Sequence, residues 1–204
     1  MKKTFSLFLS MILSLMCFAG FASAEEAPVD NKAEKKVSVE EITYEEAMKR
    51  IAKYSERTLE EVMEEEAKLQ KESTLLAASS KITGWREYRT KLGVKKSWTP
   101  DLVVIARTNT SGSAKWIDSI RYASIDREYN GISKGFSGKI EAWIDDRQVG
   151  IDYLVDGDFF NNGSTTLTGQ AGVDTGIFSA TFGVSGSNNH YKYFREYSHF
   201  YAVQ

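Results

Sequence analysis

Residues 155–166 read Val155-Asp156-Gly157-Asp158-Phe159-Phe160-Asn161-Asn162-Gly163-Ser164-Thr165-Thr166, and two incompatible structures share those letters. A helix–loop–helix calcium site takes oxygen ligands at positions 1, 3, 5, 7, 9 and 12 of a dodecamer, with glycine at 6. Counted from Asp156, positions 1 and 3 fit, but position 5 is Phe160, position 6 is Asn161 and position 12 is Leu167. The helical loop fails. Asn162-Gly163 is instead a preferred pair for a two-residue β-hairpin, whose central residues need positive φ. The stretch therefore predicts strand, turn, strand, with the Phe159-Phe160 side pairing across to Thr165-Thr166. The alternative is a non-helical calcium site made from Asp156, Asp158 and nearby carbonyl groups.

The flanking residues extend the β reading. Val149, Ile151, Tyr153 and Val155 alternate with Gly150, Asp152 and Asp156, and Ile140, Ala142 and Ile144 oppose Lys139, Glu141 and Asp145. Asp145-Asp146-Arg147-Gln148 supplies a polar turn between these strands. Further upstream, Leu102–Ala106 is a continuous apolar run, the pattern of a strand covered on both faces. Trp116, Ile120 and Tyr122 share one parity of the next segment. About eight such strands at close spacing from residue 82 onward predict an antiparallel β-sandwich over 82–204.

Glycine marks the boundary of that domain. None occurs between Glu25 and Thr83, whereas 14 lie between Gly84 and Gly186. The residues before it read as helix. Thr43 with Glu46, and Thr58 with Glu61, are capping boxes in which side chains satisfy the free amides of a helix start. Tyr44, Ala47, Met48 and Ile51 form one apolar stripe, and Leu59, Val62 and Met63 another. The spacing predicts a helical hairpin over 42–72, turning near Tyr54–Arg57, between a flexible charged segment (25–41) and a linker (73–81). The acidic run Glu64-Glu65-Glu66 reads as a solvated face. So small a hairpin buries little alone, so it docks on the β domain, binds a partner or is removed as a pro-segment.

The first 24 residues read as a cleaved secretory signal: Lys2-Lys3, an apolar run to Phe18, and Ala22-Ser23-Ala24 before Glu25. The run is too short and too serine-broken for a spanning helix. Cys17, the single cysteine, falls inside it, which leaves the mature chain without a thiol nucleophile, disulfide or cysteine-based metal site. Charge excludes one further class. Residues 25–81 carry 10 Lys/Arg against 15 Asp/Glu, and residues 82–204 carry 14 against 13, so neither part has the basic stripe of a nucleic-acid binder.

The block Val155–Thr166, with the later Asn188-Asn-His-Tyr-Lys-Tyr193, resembles a family of small secreted proteins of Gram-positive bacteria. The resemblance implies export and a helical leader ahead of a β domain, and it carries over no activity and no functional residue.

Catalytic tools are scarce. His190 and His199 are nine apart, which on a regular strand places them on opposite faces. The pairs Asp145/Asp146 and Asp156/Asp158 are the one route to a glycan-cleaving hydrolase, which sets two acids across a glycosidic bond. The stronger pattern lies in the last strand, where Tyr191, Tyr193, Arg195, Tyr197, His199 and Tyr201 share one parity. Flat amphipathic rings suit stacking on sugars or a protein hot spot, although such rows also pack as an ordinary sheet face. With Trp143, on the polar parity of its own strand, they form the candidate ligand site. The expectation is a non-catalytic, extracellular binding protein for an envelope glycan or protein partner. The alternative is a membrane-active protein, because residues 164–185 alternate small polar and apolar side chains as a barrel hairpin does.

Overall fold

The computed structural model describes residues 35–76, 84–171, 176–186 and 189–202. The secretory-signal reading of 1–24, Cys17 with it, and residues 77–81 of the expected linker lie outside them. The fold is an antiparallel β-sandwich with a helical hairpin. One sheet has four strands in spatial order β1 (Val37–Ile42), β2 (Gly84–Lys91), β3 (Asp101–Ser111), β4 (Ala114–Asp126). A two-residue ladder, β5 (Glu128–Tyr129) with β6 (Ile132–Ser133), connects it to the second sheet. That sheet contains β7 (Gly135–Ile144), β8 (Gly150–Phe160), β9 (Ser164–Ala171), β10 (Ile177–Ser185) and β11 (His190–Tyr201), in the order β11-β8-β7-β10-β9. Eight of the strands in these two sheets lie after residue 82, as the spacing predicts.

Strand β3 is central and covered twice. Leu102 through Ala106 are all fully buried, and each such Val, Leu or Ile contributes about 1.5–3 kcal/mol of hydrophobic stabilisation. On β2 the parity divides the layers. Trp85, Glu87 and Arg89 meet the helices, as in the edge contact of Trp85 with Tyr44 at 5.8 Å. Tyr88, of opposite parity, meets Phe200 of the second sheet at 5.9 Å. Tyr122 closes on Phe178 at the same distance, where β4 lies against β7 and β10.

Helix α1 (Tyr44–Ser55) opens with the Thr43/Glu46 capping box and closes at Glu56 in the left-handed conformation. Helix α2 (Leu59–Leu76) opens with the reciprocal Thr58/Glu61 bonds of 2.9 and 3.3 Å. Ala47, Met48, Ile51 and Val62 are buried as their spacing requires, whereas Met63 and Tyr44 are exposed. The hairpin precedes the eight main strands, as expected, and is also built into their first sheet. Residues 37–41, expected to be part of a flexible segment, and Ile42, expected in the helical hairpin, pair with 85–90, so both helices are inserted between two adjacent strands. Strand β1 is charged because it is an edge whose side chains bury little. Arg50 clamps Glu40 by two bonds of 2.7 Å. Helix α2 also runs through residues 73–76, into the expected linker.

Glu66 corrects the reading of the acidic run as a solvated face. It is 4% exposed and accepts from Arg121 at 2.6 and 3.0 Å, with Arg107 at 3.7 Å. A buried carboxylate needs such partners. The pair docks the hairpin on β4.

Asn162-Gly163 does not close a hairpin, contrary to expectation. Strand β8 pairs with β7 and β11, and β9 pairs with β10. Gly163 (φ 108°) bends the chain so that it passes the end of β7, where a Cβ on Gly135 would lie 3.2 Å from the carbonyls of Asn162 and Gly163. A turn signature fixes a local bend and not the strand that follows beside it.

Candidate functional site

Alternation along β11 places Phe194, Ser198 and Phe200 in the core, and therefore Tyr193, Arg195, Tyr197, His199 and Tyr201 on the opposite, outward face. Tyr193, Tyr197 and Tyr201 are 51%, 44% and 40% exposed. At about 3.4 Å per residue these three rings repeat every ~13–14 Å along the strand. Trp143 joins them from β7, its ring stacked on Tyr197 at 5.7 Å with 17° between the planes.

Tyr191 leaves the row. A register shift between His190 and Lys192 turns its side chain out of phase, and it becomes half-buried beside Trp98 at 5.9 Å. The same shift brings His190 onto the outward side with His199, against the expectation for residues nine apart. His190 meets Asp158 at 2.8 Å and His199 meets Asp152 at 3.2 Å. Their strand partners, Phe160 and Asp152, are eight residues apart on β8, about 27 Å, so they make no common site.

Beside the rings runs a column of carboxylates on β8: Asp152, Asp156 and Asp158, all partly exposed. The Tyr193 hydroxyl donates to Asp156 at 2.7 Å, and this bond, followed by desolvation, holds its ionisation above the usual tyrosine range. The Tyr197 hydroxyl reaches Asp152 at 3.5 Å, and Arg195 lies 3.6 Å from Asp156. Sequence reasoning placed Asp152 on the polar parity of its strand and Asp156/Asp158 beside a turn, and missed their role as partners of the ring row; the cross-strand register was the absent information. It also missed Arg147, which extends the row over Tyr201, with its carbon centre 5.6 Å from the ring centroid and a 3.4 Å bond to the hydroxyl.

The other candidates fall elsewhere. Asp145 accepts from the Val149 amide at 2.8 Å, and its carbonyl accepts from Gln148 at 2.9 Å, so Asp145/Asp146 form a turn. Among the described residues no three His, Cys, Asp or Glu side chains are grouped to hold a metal. Asp156 and Asp158 are engaged by Tyr193, Arg195 and His190. In the 164–185 segment Phe178, Ala180 and Phe182 are buried in the sandwich core, so inserting this hairpin into a bilayer would require them to leave it. Among the described residues no helix is long and apolar enough to cross a membrane.

The outward face thus offers ring surfaces for stacking, hydroxyl and guanidinium donors, and carboxylate acceptors on one rigid sheet, a combination that recognises polyhydroxylated molecules by stacking and hydrogen bonding at once. No protein-family model, curated protein or solved structure matches this chain.

Proposed function

We propose that the protein is a non-catalytic binding protein that acts outside the cell, and that the outward face of β11, β8 and β7 holds a glycan of the cell envelope. Export is supported by the Lys2-Lys3 start, the apolar run and the Ala22-Ser23-Ala24 exit. Glycan binding rests on one observation: three exposed tyrosines and Trp143 share a face with three aspartates. Rings stack on the apolar faces of sugars, and carboxylates accept from their hydroxyls. The sheet sets the spacing of both rows, so little entropy is lost when a ligand settles on it. A protein partner would meet the same aromatic anchors, but the carboxylate column favours a hydroxyl-rich ligand.

The test is co-sedimentation with purified cell-wall material. Tyr193→Ala and Tyr197→Ala should keep the fold, since both rings are exposed, and should weaken retention about tenfold or more when combined. Retention unchanged in the folded double variant refutes the assignment.

A further inference from the structure

The residue displaced from the tyrosine row marks a second locus. Lys134, between β6 and β7, is 8% exposed. Its ammonium donates to Asn161 Oδ1 at 2.7 Å and lies 3.8 Å from the Tyr191 ring centroid and 5.7 Å from that of Trp98. Lys95 approaches the same Tyr191 ring to 3.9 Å and reaches the Tyr191 carbonyl at 3.4 Å. It is exposed, and it is held in a tight turn by two backbone bonds with Trp98, of 2.9 and 3.2 Å.

A buried lysine is ordinarily paired with a carboxylate, yet none of the ion pairs among the described residues includes Lys134 or Lys95. The rings attract the ammonium groups but accept no proton and bring no counter-charge. An ammonium has three donors, and Asn161 takes one of those on Lys134. Both nitrogens lie within 4 Å of one centroid, so they are at most about 8 Å apart. An oxyanion accepts from ammonium donors of this kind at about 2.8 Å and brings the charge that the ring and the amide lack.

We infer that Lys95 and Lys134, arranged around Tyr191, bind a phosphate group, free or esterified. A phosphate carries about −1.5 to −2 charges at neutral pH and so offsets both lysines, where a carboxylate offsets one. The site stands apart from the outward face and does not depend on the glycan reading.

Calorimetric titration of the chain with inorganic phosphate, at an ionic strength fixed by chloride, tests this. One saturable site is expected, and Lys95→Gln, an exposed change that leaves the core intact, should weaken it about tenfold or more. Lys134→Gln should abolish it, with thermal melting used to verify folding. A glycerol phosphate monoester in the second arm identifies the source: binding of both ligands assigns a terminal phosphate ester, and binding of inorganic phosphate alone assigns the free ion. Absence of saturation at millimolar phosphate, equal binding by Lys95→Gln, or equal binding of acetate overturns the proposal.

Discussion

Trp143 and Tyr197 lie face to face, 5.7 Å between centroids, although β8 separates their strands. Their partners on β8 are Asp152 and Leu154, so the stack bridges diagonally over that strand. Stacked rings of this kind couple by about 0.5–1.5 kcal/mol beyond the area they bury. A double-mutant cycle with Trp143→Ala and Tyr197→Ala, read by urea unfolding, should return a coupling near the lower end, because Tyr197 is well exposed. Strict additivity would show that the stack contributes nothing to the rigidity of the face.

Glu66 docks the helical hairpin. Its replacement by Ala removes the carboxylate that accepts two bonds from buried Arg121, which should cost about 3–5 kcal/mol. The pair Glu66→Leu with Arg121→Met should recover most of that loss. A cost under about 1 kcal/mol for Glu66→Ala alone would mean that the hairpin is held by its apolar stripe.

Gly157 and Gly138 face each other across β8 and β7 beneath Phe136. A Cβ on Gly157 would lie 2.4 Å from the Ser137 carbonyl oxygen and 2.7 Å from the Gly138 Cα. Gly157→Ala should therefore destabilise by about 1–3 kcal/mol. Gly169→Ala, where nothing lies within 4 Å, should stay within about 0.5 kcal/mol of the parent. Similar melting temperatures for the two variants would contradict the close approach.

Alkaline pH should unfold the protein from within. Burial pushes the Tyr88 and Tyr122 hydroxyls up to about 12, and burial, with the Glu196 carboxylate, raises Tyr153 further. An unfolded tyrosine ionises near pH 10. Below that pH both states keep the proton and stability is unaffected. Between about 10 and 12 the unfolded chain loses protons first, so stability falls by up to about 1.4 kcal/mol per pH unit for each site. Tyr88→Phe and Tyr122→Phe should flatten the decline, and absorbance titration should show a late-ionising fraction of the ten tyrosines. A single transition at pH 10 in the native protein would contradict it.

What could be read without coordinates was whatever repeats within a few residues. The period-two alternation of Tyr193 to Tyr201 and of Ile140 to Val155 gave the right faces, and both capping boxes gave the right helix starts. Long-range pairing stayed hidden. Strand β1 has only Ile42 buried, and its partner lies 43 to 53 residues away and supplies the backbone bonds. Tyr191 and His190 changed sides through one register shift that no side-chain pattern announces. Glu66 looked solvated within an acidic run, although it sits four residues after Val62 and three before Leu69, on the buried stripe.

The direct test of the central claim is a heteronuclear magnetic-resonance titration of the protein with soluble cell-wall glycan fragments. Amide shifts should concentrate on β11, β8 and β7, with the Trp143 indole and the Tyr193 and Tyr197 rings moving together. Shifts confined to other strands, or none at millimolar glycan, would contradict the assignment of this face.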